Sequence, residues 1–387
     1  MWFFNSPEVV YGEGALSYLA EIRGRRAFLV TDRTMAELGF VDRVAQELAR
    51  AGIDVQTYDA VEPEPSPQAV RHGATLMLDF EPDWIIGLGG GSVLDAAKAM
   101  WVLYERPDMR PEAINPIERL GLRERARMIA IPTTSGTGSE ATWAIVLTDT
   151  DEQRKLGLGS RECLPDIAIL DPSLAARMPP RLTADTGLDA LTHAIEGYTS
   201  RWHNDFSDGL CLKAVQLIFT CLPRAYANGD DMEAREHMHN AASLAGLGFI
   251  NSMAGLAHGM GHPLGAMFKV PHGRSVGLFL PYTIEFAADV VGRRYSDVAR
   301  AAGLEVPTEA DGPTVLAQGI RNLMNAIDQP TTLNELQIDT EVLERKLSRL
   351  VSDAENDSQT LTSPRIPSDT DLEHLYRCAL TGRPVDF

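Results

Sequence analysis

The stretch "GLGGGSVLDAAKAM" (87–100) runs from an apolar segment through three consecutive glycines into good helix formers. With "DWIIGLGGGS" (83–92) ahead of it, the reading is strand, tight turn, helix. Ser92 is expected to cap that helix, with Asp95 three residues on in the capping-box position. Gly89, Gly90 and Gly91 would let a phosphate approach the main chain, where a helix start offers unpaired N–H groups and a favourable dipole. A turn that binds nothing is the competing reading, and this loop alone does not decide between them.

Working outward, "RRAFLVTD" (25–32), "RMIAIPTT" (127–134), "WAIVLTD" (143–149) and "IAILDP" (167–172) also read as strands. Amphipathic segments 35–51 and 67–79 lie between the earlier ones, an alternation that implies a parallel sheet covered on both faces. Beyond about residue 173 the pattern turns helical over 186–199, 207–227, 232–250, 252–265, 279–302 and 312–327. The expected organisation is an α/β domain over 1–172 and an all-helical domain over 173–387, joined through "DPSLAARMPPR" (171–181). The polar stretch 351–369 reads as a surface loop before a last helix.

"IPTTSGTGSEAT" (131–142) follows the next expected strand and places Thr133, Thr134, Thr137 and Ser139 at the strand edge where open α/β sheets bind ligands. Two such loops at successive strand ends favour a dinucleotide crevice. Asp32 ends an earlier strand, where a carboxylate can accept from a ribose 2′-OH, although it precedes the glycine loop instead of following it.

The helical half holds a different chemistry. In "TGLDALTHAIEGY" (186–198), Asp189 and His193 are four apart and project from one helical face. "GLAHGMGHPLGAMFKVPHG" (255–273) repeats the spacing with His258 and His262, and His272 follows just past Pro271. Imidazoles and a carboxylate without a thiolate suit Fe(II), Zn(II), Mn(II) or Ni(II). A histidine donating to a carboxylate is the bland reading of one such pair. Two pairs on apolar helices are harder to explain that way, since an uncompensated charge there is costly. His203, His237 and His239 lie in polar company and read as surface residues.

Composition excludes other classes. With 35 basic against 54 acidic residues the net charge is −19, which argues against nucleic acid or an anionic membrane as partner. The four cysteines lack paired spacing and read as reduced, hence a cytoplasmic protein. "MWFFNSPEVV" makes a poor signal peptide, and no uninterrupted apolar run approaches membrane-helix length.

Taken together, "GLGGGSVLDAAKA", "IPTTSGTGSEAT", "TGLDALTHAIEGYTS" and "HGMGHPLGAMFKVPHG" resemble, in order and separation, the iron-containing (group III) alcohol dehydrogenase family. The resemblance implies a Rossmann-like NAD-binding domain, a helical metal-binding domain, and a metal in the cleft between them. By it, Asp189, His193, His258 and His272 would be ligands of one divalent cation, iron foremost with zinc the alternative. His262 would be the non-ligand catalytic histidine. Gly89, Gly90, Gly91 and Ser92 would hold the pyrophosphate, and Asp95 would belong to the cofactor-binding set. Thr133, Thr134, Thr137 and Ser139 would line the crevice, Lys155 would reach the nicotinamide ribose, and Asp32 would select NAD. Trp143, Ala144 and Phe249 fall at pocket positions. "GMG" stands between the paired histidines where "GMA" is frequent in relatives.

The implied reaction is reversible NAD-linked oxidation of a small alcohol to an aldehyde or ketone, with a homodimer or larger homo-oligomer as the assembly. Competing readings are a glycerol-dehydrogenase-like or metal-free maleylacetate-reductase-like enzyme, a hydroxyacid–oxoacid transhydrogenase, and a dehydroquinate-synthase-like lyase. The lyase would need a basic pocket that the helical half does not advertise.

Overall fold

A computed structural model describes residues 3–149 and 154–387. The chain divides into two compact units, Met1–Arg177 and Met178–Phe387.

The first unit is built on six strands: β1 (Glu8–Tyr11), β2 (Arg26–Val30), β3 (Asp54–Tyr58), β4 (Trp84–Gly89), β5 (Arg127–Pro132) and, after two further strands, β8 (Ile167–Leu170). They form one parallel sheet in the order β1-β8-β5-β4-β2-β3. Strand side chains alternate between faces, which divides the core in two. Phe28, Val30, Ile85 and Met128 pack with Val70, Met77 and Trp101 from α3 (Pro67–Phe80) and α4 (Gly91–Glu105). Leu29, Ile86, Ile129 and Ile169 pack with Phe40, Val44 and Leu48 of α2 (Phe40–Arg50), which follows the short α1 (Arg33–Glu37). Both faces are covered, as a parallel sheet requires.

The run 143–149 departs from expectation. It forms β6 (Ala144–Asp149), which pairs antiparallel with β7 (Arg154–Gly159) and takes no part in the main sheet. Apolar content identified a strand but could not say which strand it would join. The joint contains α5 (Pro172–Ala175).

The second unit is helical: α6 (Pro180–Thr199), α7 (Asp205–Ala227), α8 (Met232–Ile250), α9 (Leu256–Phe268), α10 (His272–Phe286), α11 (Ala288–Ala301), α12 (Gly312–Ala326), α13 (Thr340–Glu355) and α14 (Asp369–Thr381). From Thr183 to Thr199 nearly every residue of α6 is buried, so it is the central helix, packed by α7, α8 and α10. The segment 279–302 is two helices, α10 and α11, bent by 118°. The expected surface loop at 351–369 is partly helix, since α13 runs to Glu355, and Thr360, Thr362 and Ser363 beyond it are buried. Among the described residues α7 is long and apolar enough to span a membrane. It also carries Lys213 and Gln216, and it buries Cys211, Ala214, Ile218 and Leu222 in the helical core.

Candidate functional site

In the first unit, β4 and β5 run side by side to their carboxyl ends, with Gly89 opposite Pro132. The glycine loop and the threonine loop therefore leave the sheet as neighbours, and Thr133 N–H donates to the Gly89 carbonyl at 3.0 Å. A Cβ on Gly91 would stand 2.8 Å from Thr137 Cγ2, and one on Gly90 3.3 Å from Thr134 Cγ2. The loops lie closer than side chains would allow, leaving bare backbone at the α4 start.

Ser92 does not cap α4, contrary to expectation. Gly90 is the N-cap of α4, no side chain caps it, and the helix begins at Gly91. Consecutive glycines let the chain turn earlier than expected, so Ser92 is already helical and its hydroxyl donates to the Pro63 carbonyl. Asp95 is then too far along to reach the cap. It turns inward, accepting from Ser139 Oγ at 2.6 Å and Val146 N at 2.8 Å, beside the buried Lys98. Burial raises the Asp95 carboxyl, with Lys98 opposing.

Asp32 caps α1, accepting from Met35 N at 3.0 Å. Lys155 donates to Glu64 Oε1 at 2.8 Å and Thr148 Oγ1 at 2.9 Å on the β6–β7 hairpin. Trp143 packs over Gly159, and the Ala144 carbonyl accepts from Lys98.

In the second unit, three helices contribute to one cluster. Asp189 Oδ1, on α6, is 3.3 Å from His272 Nε2 and 3.8 Å from both His258 Nε2 and His193 Nδ1. Asp189, His258 and His272 each offer one ligand atom within 4.8 Å of the others. His193 stands outside that trio, its ring stacked on Phe249 at 4.1 Å and on His258 at 4.6 Å.

Local sequence explains the convergence. Lys269 ends α9 in the left-handed region and Pro271 caps α10, so the chain turns sharply before His272. A Cβ on Gly273 would sit 1.9 Å from the Asp185 carbonyl, so this glycine lets α10 approach α6 and bring His272 to Asp189. A Cβ on Gly261, the last glycine of "GMG", would stand 2.9 Å from the Val276 backbone, so α9 and α10 meet more closely than an alanine there permits.

The electrostatics are those of a cation site. Asp189 Oδ1, His193 Nδ1 and His258 Nε2 are buried without a hydrogen-bond partner, and such orphans in a polar cluster call for a ligand. Burial opposes ionisation of Asp189, but the His193 and His272 imidazoles hold its carboxyl well below the usual range. Burial pushes the His193 imidazole down to about 3, against the pull of Asp189. His258 is pushed up to about 10: burial works against its charge and the Glu196 carboxylate overcomes it.

His262 lies one turn beyond His258 and stacks against His272 at 5.4 Å. Its Nδ1 is 2.7 Å from Asp357 Oδ2, a partner contributed by the stretch expected to be a plain surface loop. Glu196 is the other residue the motif reading passed over, although its spacing from Asp189 and His193 places it on the same helical stripe. His239, expected at the surface, is buried, whereas His203 is exposed.

Residues 6–172 match the iron-containing alcohol dehydrogenase family, and residues 183–380 match the Fe-containing alcohol dehydrogenase family, C-terminal. The chain belongs to the iron-containing alcohol dehydrogenases. It is 40% identical over 390 residues to the NADPH-dependent butanol dehydrogenase of Clostridium saccharobutylicum, covering 100% of both chains. It is 38% identical to aldehyde-alcohol dehydrogenase 2 of Entamoeba histolytica, over 98% of this chain but only 46% of that protein. The solved iron-containing alcohol dehydrogenase of Thermococcus thioreducens superposes with a TM-score of 0.90 at 32% identity, covering 99% of this chain and 100% of that one.

This iron-type alcohol dehydrogenase acts on small alcohols or aldehydes, and its family implies Fe2+ and NAD(P) as cofactors. The residues present fit both groups. Asp189, His258 and His272 form an oxygen/nitrogen set suited to a divalent first-row metal, and glycine loops that a Cβ would fill suit a pyrophosphate.

Proposed function

We propose that this chain is a cytoplasmic, metal-dependent, NAD-linked dehydrogenase that interconverts a small apolar alcohol with its aldehyde or ketone. One observation carries the reading: Asp189 Oδ1, His193 Nδ1 and His258 Nε2 are buried and unpartnered beside His272 Nε2. Asp189, His193, His258 and His272 are assigned as the ligands. A divalent cation held there supplies Lewis acidity to an alcohol oxygen, and a nicotinamide supplies the hydride acceptor.

The chain's own residues do the rest. His262 has Nδ1 committed to Asp357, leaving Nε2 to take or return the alcohol proton. Phe249, stacked on His193, gives the substrate an apolar wall. Gly89, Gly90, Gly91 and Ser92 offer main-chain N–H groups to the pyrophosphate, with Thr133, Thr134 and Thr137 alongside. Asp95 and Ser139 brace that crevice from inside, and Lys155 serves the ribose. Asp32 supports NAD over NADP, a choice on which the chain would differ from the NADPH-dependent relative.

Four free, buried cysteines support a reducing compartment. The open edge of β1 at the end of the parallel sheet supports a homodimer or larger homo-oligomer.

The deciding experiment is metal analysis of anaerobically purified protein, paired with an alcohol panel in NAD and NADP. Steady release of free NADH is expected, which separates this reading from a transhydrogenase or lyase. His258→Ala and His272→Ala should each lose metal and activity together. A variant of either that keeps both overturns the assignment.

A further inference from the structure

Glu196 is buried on α6, three residues after His193 and seven after Asp189, so the same helical stripe that carries two proposed ligands carries it too. Among the described residues its carboxylate forms three hydrogen bonds, all with the start of α9. Oε2 accepts from His258 Nδ1 at 2.5 Å and from Gly255 N at 3.0 Å, and Oε1 accepts from Ala257 N at 2.6 Å. Gly255 is the N-cap of α9 and no side chain of its own caps that helix. Glu196 therefore supplies, from another helix, the acceptor that the first turn of α9 lacks, at the end where the helix dipole favours negative charge. Gly255 is part of the fit, because a Cβ there would stand 3.0 Å from Glu196 Oε1.

The consequence falls on His258. With Nδ1 donating to Glu196, the ring nitrogen left to offer a lone pair is Nε2, which faces Asp189 Oδ1 and has no other partner. The backbone that carries His258 is clamped by the same carboxylate that orients its ring. We propose that Glu196 is the positioning residue of the metal centre, fixing the tautomer and aim of His258 while locking the first turn of α9 to α6. This rests on the reading of Asp189, His258 and His272 as the metal site. Carboxylates bonded to a ligand histidine typically govern metal affinity about 10–100-fold.

The test compares the full-length wild type, Glu196→Gln and Asp189→Asn, each stripped of metal. The metal-free melting temperature is measured first, and then the Zn2+ dissociation constant by competition with a chromophoric chelator. Glutamine fills the same space, but its amide turns an N–H2 toward a group of donors. Glu196→Gln should melt below the wild type, because an amide N–H2 facing the α9 donors loosens that turn. It should also bind Zn2+ about 10–100-fold more weakly, while Asp189→Asn loses binding at least as far. Wild-type affinity in Glu196→Gln, beside a defective Asp189→Asn, overturns the proposal. A purely structural Glu196 would lower the melting temperature and leave affinity unchanged, which overturns it equally. An Asp189→Asn variant that binds like the wild type overturns the metal-site reading, and this proposal with it. If Glu196→Gln yields no folded protein, Glu196→Asp carries the comparison, since it keeps the charge but withdraws the acceptor by a methylene. The same loss is expected there, and wild-type affinity is refutation.

Discussion

Replacing Lys98 by methionine tests how the threonine loop is held to α4. Lys98 is wholly buried on α4, where Nζ donates to Ser139 Oγ at 2.8 Å, the Ala144 carbonyl at 3.0 Å and Thr142 Oγ1 at 3.3 Å. It stands 3.7 Å from Asp95 Oδ1. Methionine keeps most of the stem's volume, so what disappears is the charge and its hydrogen bonds. Removing one partner of a buried pair costs about 3–5 kcal/mol, because the other charge stays behind. Asp95 retains its bonds from Ser139 and Val146, so the expectation lies near the lower end, about 3 kcal/mol. For a domain of this size that corresponds to roughly 6–12 °C in melting temperature. Because the chain has two units, the loss should be read by hydrogen exchange in peptides from α4, β5 and β6, with α6–α8 as the internal reference. Burial raises the Asp95 carboxyl despite Lys98, so in the variant it takes up a proton more readily folded than unfolded. The deficit should therefore narrow as pH falls. Adding Asp95→Asn should recover part of the loss. A Lys98→Met variant within about 1 kcal/mol of wild type, or one whose deficit grows on acidification, would refute the account of Lys98 as the tie between α4 and the threonine loop.

Two further outcomes follow from the first unit. Asp32→Ser keeps an N-cap acceptor for Met35 N, so stability should change by less than about 0.5 kcal/mol. The ratio of NAD to NADP turnover should fall, and an unchanged ratio removes Asp32 from the selection of cofactor. Gly91→Ala sets a methyl 2.8 Å from Thr137 Cγ2; with overpacking costing about 1–3 kcal/mol, roughly tenfold weaker dinucleotide binding is expected by titration. Wild-type affinity in that variant would show that the loops relax freely.

What the sequence disclosed and what it hid divide along a physical line. The strand–glycine–helix passage at 84–105 and the four-residue spacing of Asp189 and His193 depend on neighbours along the chain, and both were readable. β3 is short and partly polar, with little apolar run to mark it. Glu196 sits inside a stretch already singled out, yet its partners are backbone N–H groups of another helix, and a carboxylate carries no mark of which donors it will meet. Asp357 was hidden by its polar surroundings, since polarity signals a solvated loop as well as a partner for a histidine. The glycines make the same point most sharply. Gly255, Gly261 and Gly273 were visible as letters, and within a helix Gly261 and Gly273 would each ordinarily be a small destabilisation. Their value appears only against a second element: Glu196 for Gly255, Val276 for Gly261, and the Asp185 carbonyl for Gly273. The donors Asp189, His258 and His272 meet within 4.8 Å because these missing Cβ atoms let α6, α9 and α10 close on one another. The geometry of the centre therefore depends as much on what those positions omit as on the imidazoles themselves.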